Sequence, residues 1–214
     1  MPKIFIIFVF SAIFLSFSTG QNIGGSYCSF ASRLKLRICQ VPLATFITNL
    51  EKETASELNG TQSALPILKK DKFIEVCKLF GEFENCSKPY MEDCSSDMSV
   101  VVYKSMYGYI CNEGYDIYLR NGECFYETEK SPIVKKCKET FLEKTHKLKS
   151  DPSLFKQEKI DQTCSNMNEF LSCAHTSMEE QCGLEAWKLV HKMVKDLFEG
   201  LMHNCRINEL NQED

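Results

Sequence analysis

The chain is poor in residues that interrupt helices, with six prolines and ten glycines among its 214 residues. This scarcity excludes collagen-like and proline-rich disordered chains. Runs in which β-branched apolar and polar residues alternate are also rare, which argues against a protein built from sheets. These absences leave helix as the expected secondary structure of most of the chain.

Motifs of metal sites and catalytic centres are missing as well. Histidine occurs four times, and neither a C-x2-C nor an H-x3-H spacing is present, so no metal site is predicted. The chain has no G-x-S-x-G, no H-E-x-x-H and no glycine-rich phosphate loop. We therefore expect neither an enzyme nor a bound cofactor.

The charge balance is mildly acidic. The formal net charge is −4, and it becomes −5 if a leader that contains the single positive charge of Lys3 is removed. A chain of this charge does not suit general binding of nucleic acid. Beyond residue 20, no apolar run reaches the roughly 20 residues that a membrane crossing needs. No membrane span is therefore predicted in the mature chain.

The first 20 residues have the pattern of a secretory signal peptide. Lys3 supplies a short positive start, residues 4–17 form an apolar run, and Ser18 and Gly20 are small residues before a cleavage point. As a membrane anchor the run is too short, and serines interrupt it. We therefore expect a secreted, extracellular protein with a flexible N-terminus at 21–27 and a polar tail at 206–214.

Cysteine is abundant, with twelve residues after the leader in two sets of six that have nearly repeated spacings. The central three cysteines are spaced C-x8-C-x7-C in the first set and C-x8-C-x8-C in the second. The sets are Cys28, Cys39, Cys77, Cys86, Cys94 and Cys111, and Cys124, Cys137, Cys164, Cys173, Cys182 and Cys205. An even number of cysteines at recurring spacing in a secreted chain indicates a disulfide framework.

The repeat predicts one twelve-cysteine domain at 28–205, with halves at 28–111 and 124–205 and three bridges closed within each half. Six cysteines permit 15 pairings, among which the sequence does not select. Cysteines nine residues apart on a continuous helix point to opposite sides. Either the helices break between such cysteines or, as we expect, the two members bond to different partners.

Apolar periodicity predicts a helix at about 185–204, where Trp187, Val190, Val194, Leu197 and Leu201 recur at steps of three and four. Further helices are expected at about 34–50, 66–81, 99–110, 133–148 and 153–170. Residues 115–126 suit either a short hairpin with an Asn-Gly turn or, as we prefer, a helix that stops at Gly122. The predicted fold class is a mainly α, disulfide-rich helical domain built from two similar six-cysteine halves.

The cysteine pattern also resembles that of a known family. The resemblance rests on the C-x8-C-x7-C spacing, the tyrosine-rich run to Cys111, and C-x8-C-x8-C-Gly-Leu-Glu-Ala-Trp followed by a helix to Cys205. These features are similar to the nematode secreted twelve-cysteine extracellular domain catalogued as domain of unknown function 19. The resemblance covers 28–205 and implies a secreted, disulfide-rich domain from a nematode. It supplies no catalytic or binding residues.

Three surface features are candidates for contacts outside the cell. Asn59 begins a glycosylation sequon in a predicted exposed segment, whereas the sequon at Asn85 contains a cysteine and is discounted. A basic segment could bind sulfated polysaccharide or an anionic membrane, although a solvated surface is favoured; its lysines are Lys135, Lys136, Lys138, Lys144, Lys147 and Lys149. A tyrosine cluster suits either a binding interface or packing around bridges: Tyr103, Tyr107, Tyr109, Tyr115, Tyr118 and Tyr126.

Two pairs of adjacent carboxylates, Glu92/Asp93 and Glu179/Glu180, stand at equivalent points of the two halves. Adjacent residues on a helix do not face one another, so these pairs are interpreted as solvated acidic surface.

The sequence as a whole favours a secreted, non-enzymatic interaction protein that binds a protein or glycan partner outside the cell. The alternative is an extracellular carrier of a lipid or another apolar small molecule.

Overall fold

A computed structural model describes residues 28–57, 68–202 and 204–210. The predicted signal peptide, the segment 21–27 and Asn59 lie outside these residues. The described helices are α1 (Phe30–Glu57), α2 (Lys70–Ser87), α3 (Met91–Cys94), α4 (Met98–Tyr107), α5 (Tyr115–Glu129), α6 (Pro132–Ser150), α7 (Lys156–Cys182) and α8 (Leu184–Leu201), with a 3-10 turn at Lys88–Tyr90. No strand occurs in the described ranges, which confirms the predicted helical class.

Both predictions for the Asn121-Gly122 region are wrong. The helix α5 neither turns into a hairpin nor stops at Gly122, and it continues to Glu129. Gly122 is buried, and a Cβ placed there would lie 3.6 Å from the ring of Tyr118. Packing of this turn of the helix thus outweighs the local preference of Asn-Gly for a turn. Similarly, α2 continues past Gly81 to Ser87.

The described chain forms two compact units. The first unit comprises 28–57 and 78–97, and the second comprises 68–77, 98–202 and 204–210. The boundaries of these units do not follow the predicted halves, because part of the sequence before Cys111 lies in the second unit. The structure therefore does not confirm that the domain is built from two similar halves.

The first unit is held together by the inner side of α1. Leu36, Cys39 and Leu43 on this side are buried. The bridge Cys28–Cys94 joins a cysteine two residues before α1 to α3, and Cys39–Cys86 joins α1 to the end of α2. At the start of α1, the Arg33 guanidinium lies 3.8 Å from the Asp97 carboxylate. These contacts fix which side of α1 faces inward.

The second unit has a core around α8. The five apolar residues that predicted this helix are all buried: Trp187, Val190, Val194, Leu197 and Leu201. Helices α4, α5 and α7 pack against α8, and α6 packs along α7. The prediction of an inward apolar stripe on the C-terminal helix is confirmed.

Local chemistry determines where the helices of the second unit begin and end. Ser131 Oγ accepts a hydrogen bond from Val134 N–H at 3.3 Å, with Pro132 in the first position of α6. The N–H of Phe155 donates to the Glu158 carboxylate at 2.7 Å as α7 begins. Gly183, with φ of 85°, separates α7 from α8 in a conformation that L side chains rarely adopt.

All twelve cysteines are bridged. The first set pairs as Cys28–Cys94, Cys39–Cys86 and Cys77–Cys111, and the second as Cys124–Cys182, Cys137–Cys173 and Cys164–Cys205. Each bridge thus stays within one set, as predicted. In both sets the first cysteine bonds to the fifth, the second to the fourth and the third to the sixth. Cysteines nine apart lie on unbroken helices and bond to different partners, which confirms the expectation from helical geometry.

The described part of the predicted polar tail is attached to α7 and α8. Ile207 is buried, and its N–H donates to the Glu199 carboxylate at 3.2 Å. Asn168 on α7 accepts a hydrogen bond from Asn208 N–H at 2.8 Å. His191 on α8 donates to the carbonyl oxygen of Asn208 at 2.8 Å, with the proton assigned to Nε2 because a carbonyl only accepts.

Candidate binding surface

Helix α1 has apolar side chains on two opposite faces. Its inner face carries the buried residues Leu36, Cys39 and Leu43. Its outer face carries a line of large apolar side chains that are mostly exposed: Phe30 (84%), Leu34 (50%), Ile38 (58%) and Val41 (59%). At about 100° per residue, the line is centred about 180° from the buried residues. We call these four residues the outer line.

The outer line is an unusual surface for a soluble helix. Single exposed apolar residues are ordinary, but contiguous apolar patches mark sites of interaction. Phe30, Leu34 and Ile38 are spaced by four residues, and Val41 follows three residues later. The four therefore occupy one side of the helix over a length of about 16 Å. The described residues leave these four side chains half exposed or more, whereas they bury Leu36, Cys39 and Leu43.

The charges beside the outer line are all basic. Between residues 30 and 50 the sequence contains Arg33, Lys35 and Arg37 and no aspartate or glutamate. Helical geometry places Arg33 and Arg37 along one edge of the line and Lys35 on the other. Within the described part of the chain, acidic groups from other elements contact α1 at its first turn, where Asp97 lies near Arg33 and Asp93 accepts a hydrogen bond from Ser32 Oγ at 3.2 Å.

Three of the six lysines in the basic segment predicted on α6 are paired with neighbouring carboxylates. Lys138 is buried and contacts Glu129 at 3.0 Å, and Lys144 forms an ion pair with Glu169. Lys147 contacts Glu143 at 2.8 Å, and this hydrogen bond lowers the pKa of the Glu143 carboxyl. Since half of the six lysines are paired with carboxylates, the segment does not present all six as one basic patch.

Two tyrosines of the predicted cluster belong to the core of the second unit. Tyr107 and Tyr118 are both buried. The Tyr118 ring stacks on Phe73 with centroids 3.8 Å apart, and its hydroxyl accepts from Leu68 N–H at 2.6 Å and donates to Leu68 C=O at 3.2 Å. Burial raises the pKa of Tyr118 well above its usual value. These two tyrosines therefore support packing and not a binding interface.

The other four tyrosines are partly buried, and three of them lie near cations or other rings. Lys130 Nζ lies 3.8 Å from the ring centroid of Tyr126, and Lys192 Nζ lies 5.1 Å from that of Tyr109. The rings of Tyr115 and Phe73 have centroids 5.3 Å apart. Burial raises the pKa of Tyr103. The cluster is thus divided between α4, the segment that follows it and α5, and it does not form one face.

The described histidines are engaged in separate interactions. His175 contacts the Glu179 carboxylate at 2.6 Å and stacks on Trp187 with centroids 4.8 Å apart. His191 is held by Asn208, and His146 is exposed. Among the residues that the structure describes, no group of three or more potential ligands is placed to hold a metal ion. His203 lies outside the described residues.

The paired carboxylates do not form acid–base pairs with each other. Asp93 accepts a hydrogen bond from Ser32, and Glu179 contacts His175. Glu92 and Glu180 are exposed. The discounted sequon at Asn85 lies on α2 with its central Cys86 bridged to Cys39. The outer face of α1, with its exposed apolar side chains, is therefore the candidate binding site.

Sequence reasoning missed the outer line, because it began the first helix at residue 34 and assigned no face to it. Two signals in the sequence point to the surface. Cys39, as a bridged residue, marks the inner face, and Leu34, Ile38 and Val41 then fall on the opposite face. The absence of acidic residues from 30 to 50 is the second signal.

The architecture defines a class: a helical domain whose packing is reinforced by six disulfides, the kind of framework that suits an extracellular protein. Within the described ranges, no helix combines the length and apolarity that a membrane span requires. A family model matches residues 28–206, and the chain belongs to that family, described as domain of unknown function (DUF19). No curated protein and no solved structure matches the chain.

Proposed function

We propose that this protein is a secreted, non-catalytic interaction protein and that the outer face of α1 is the surface that contacts its partner. The observation that carries the proposal is the outer line, in which four large apolar side chains lie exposed on one side of a helix. Contact of these apolar side chains with water is unfavourable in free energy, and a bound partner would remove them from water. No packing role within the described chain accounts for them.

Of the two partner classes predicted from sequence, a protein or a glycan, the outer line favours a protein. Protein interfaces have apolar cores in which a few large side chains dominate the binding free energy. Sugar hydroxyls need hydrogen-bonding side chains, which the four residues of the outer line lack. Arg33, Lys35 and Arg37 would then form a polar rim around an apolar centre.

The proposal includes secretion, removal of residues 1–20 and a glycan on Asn59. The leader pattern and the sequon support these steps, and the six bridges fit an oxidising compartment. Intact mass and N-terminal sequencing of the secreted protein test them. A chain that still begins at Met1, or a mass unchanged by removal of N-linked sugars, would refute the corresponding step.

Site-specific crosslinking in extracellular fluid tests the binding role. A photoreactive residue replaces Ile38 in the outer line, and a matched variant carries it at Lys136, an exposed position on α6. We expect a discrete protein adduct from position 38 and none from position 136. Absence of an adduct at position 38, or equal adducts at both positions, would refute the assignment of the surface.

The carrier alternative is decided on the same material. Native mass spectrometry of the secreted protein would show a co-purifying lipid or other apolar molecule if the protein is a carrier. An interaction protein of the proposed kind would show its own mass and glycan alone. A stoichiometric apolar ligand would therefore replace the proposed function with the carrier function.

A further inference from the structure

The proposed function can be extended to the chemistry of the partner. Resting on the proposed binding role of α1, we infer that the partner contacts the outer line with an amphipathic helix whose apolar side chains are flanked by carboxylates. Two observations carry this inference. One is the spacing of the outer line along α1, and the other is the sign of the charge on both of its edges.

The spacing of the outer line matches the geometry of packed helices. Phe30, Leu34 and Ile38 form a row of i, i+4 and i+8 side chains, which is the ridge that fits a groove on another helix. Val41 extends the apolar surface to three turns of α1. The line is one side chain wide and covers about 80° of the helix circumference. A helix lying across α1 would bury such a narrow ridge, whereas a flat surface would leave its sides uncovered.

The charges beside the outer line determine which charge the partner should carry. Lys35 and Arg37 lie on opposite edges of the outer line, and Arg33 shares the edge of Arg37. Asp97 lies 3.8 Å from Arg33 and partly compensates its charge, so among the described residues the uncompensated charge of α1 is concentrated at Lys35 and Arg37. A second copy of α1 would bring like charges together, which disfavours self-association through this face. Carboxylates beside the apolar residues of the partner would complement both edges.

An anionic lipid surface shares the charge preference but not the shape. Helices that bury an apolar face in a larger apolar phase carry a stripe of about 100° or more. The large apolar side chains of the outer line span about 80°, which is narrower than such a stripe. The observations therefore favour an acidic helix over a lipid surface, and vesicles enter the test as a competing probe.

The test uses the secreted, oxidised protein and two synthetic helical peptides. Both peptides carry the same apolar line, flanked by glutamates in one and by lysines in the other. Fluorescence anisotropy measures their binding at low salt. We expect the glutamate peptide to bind at least about fivefold more tightly, which corresponds to about 1 kcal/mol from two exposed charge pairs. The difference should shrink as salt is raised, because exposed charges are screened.

Charge reversal supplies the decisive variant. Lys35→Glu combined with Arg37→Glu should invert the preference toward the lysine peptide, while Lys136→Glu on α6 should leave it unchanged. Circular dichroism and the mass of the fully bridged chain verify that each variant is folded. Equal affinity for both peptides, or a preference that survives charge reversal, would overturn the inference.

Vesicles separate the competing partner class and the two levels of the proposal. Binding to phosphatidylcholine vesicles that contain phosphatidylserine, without binding to either peptide, would overturn the acidic helix in favour of a lipid surface. If the adduct at position 38 forms but charge reversal does not weaken it, the inference fails while the proposed function stands. If no adduct forms at position 38, the proposed function itself fails.

Discussion

Replacing Trp187 by alanine should destabilise the protein by about 3–5 kcal/mol, the range for removal of a large aromatic side chain from a core. Trp187 is 2% exposed, and its ring stacks on His175 at 4.8 Å and lies 6.0 Å from the ring of His191. With its bridges intact the unfolded chain stays compact and exposes less surface, so we expect a value near the lower limit. Denaturant unfolding of the oxidised protein measures the loss.

The assay must follow helix content by far-ultraviolet circular dichroism, because Trp187 is the only tryptophan and its removal abolishes the tryptophan fluorescence. Trp187→Phe is the matched control. The indole N–H is buried and has no hydrogen-bond partner among the described residues. Phenylalanine removes that N–H while it keeps an aromatic ring in the core, so its cost should be only about 1–2 kcal/mol. An alanine variant that loses less than about 1 kcal/mol at an unchanged denaturant slope would refute the inward orientation of α8.

Three further perturbations test other parts of the second unit. Cys205→Ser opens a bridge to Cys164 across a sequence separation of 41 residues, and should lower stability by about 2–4 kcal/mol in non-reducing thermal unfolding. Tyr118→Phe should cost about 1–3 kcal/mol, because it removes a hydroxyl bonded to buried backbone. Since burial raises the pKa of Tyr118, wild-type stability should also fall as pH rises above about 10, with a smaller fall in the phenylalanine variant. Lys138→Met leaves the Glu129 carboxylate without its lysine and should cost about 1–3 kcal/mol, part of which Glu129→Gln should restore in a double-mutant cycle.

The C-terminal helix could be predicted from sequence because two independent signals agree there. The apolar steps of three and four define one face of α8, and Cys205 lies beyond the helix on the side of the core. Where two signals conflict, the prediction failed. Asn121-Gly122 is a local turn signal, but Tyr118 and Phe125 on the same helix are buried and their rings lie 5.5 Å apart. Tertiary packing of these rings keeps α5 helical through the glycine.

The outer face of α1 was hidden for a different reason. A helix that buries one face and exposes another apolar face has no single apolar stripe, so periodicity does not distinguish its two sides. The bridged Cys39 marks the inner side, but the sequence alone does not show how far the side chains on the opposite face are exposed. The candidate site therefore became recognisable only when burial separated Leu36 and Leu43 from Leu34 and Ile38.

The arrangement of the bridges explains why such a surface is compatible with a stable fold. On α7, Cys164, Cys173 and Cys182 are nine residues apart, and successive cysteines bond to elements on alternate sides of the helix. Bridges of this kind restrict the unfolded chain whatever residues occupy the exposed positions between them. On α1, likewise, Cys39 and the buried leucines hold the inner face in place. The four residues of the outer line are therefore not required to stabilise the fold. Their substitution should leave stability within about 0.5 kcal/mol, and a loss of binding in those variants can be attributed to the surface itself.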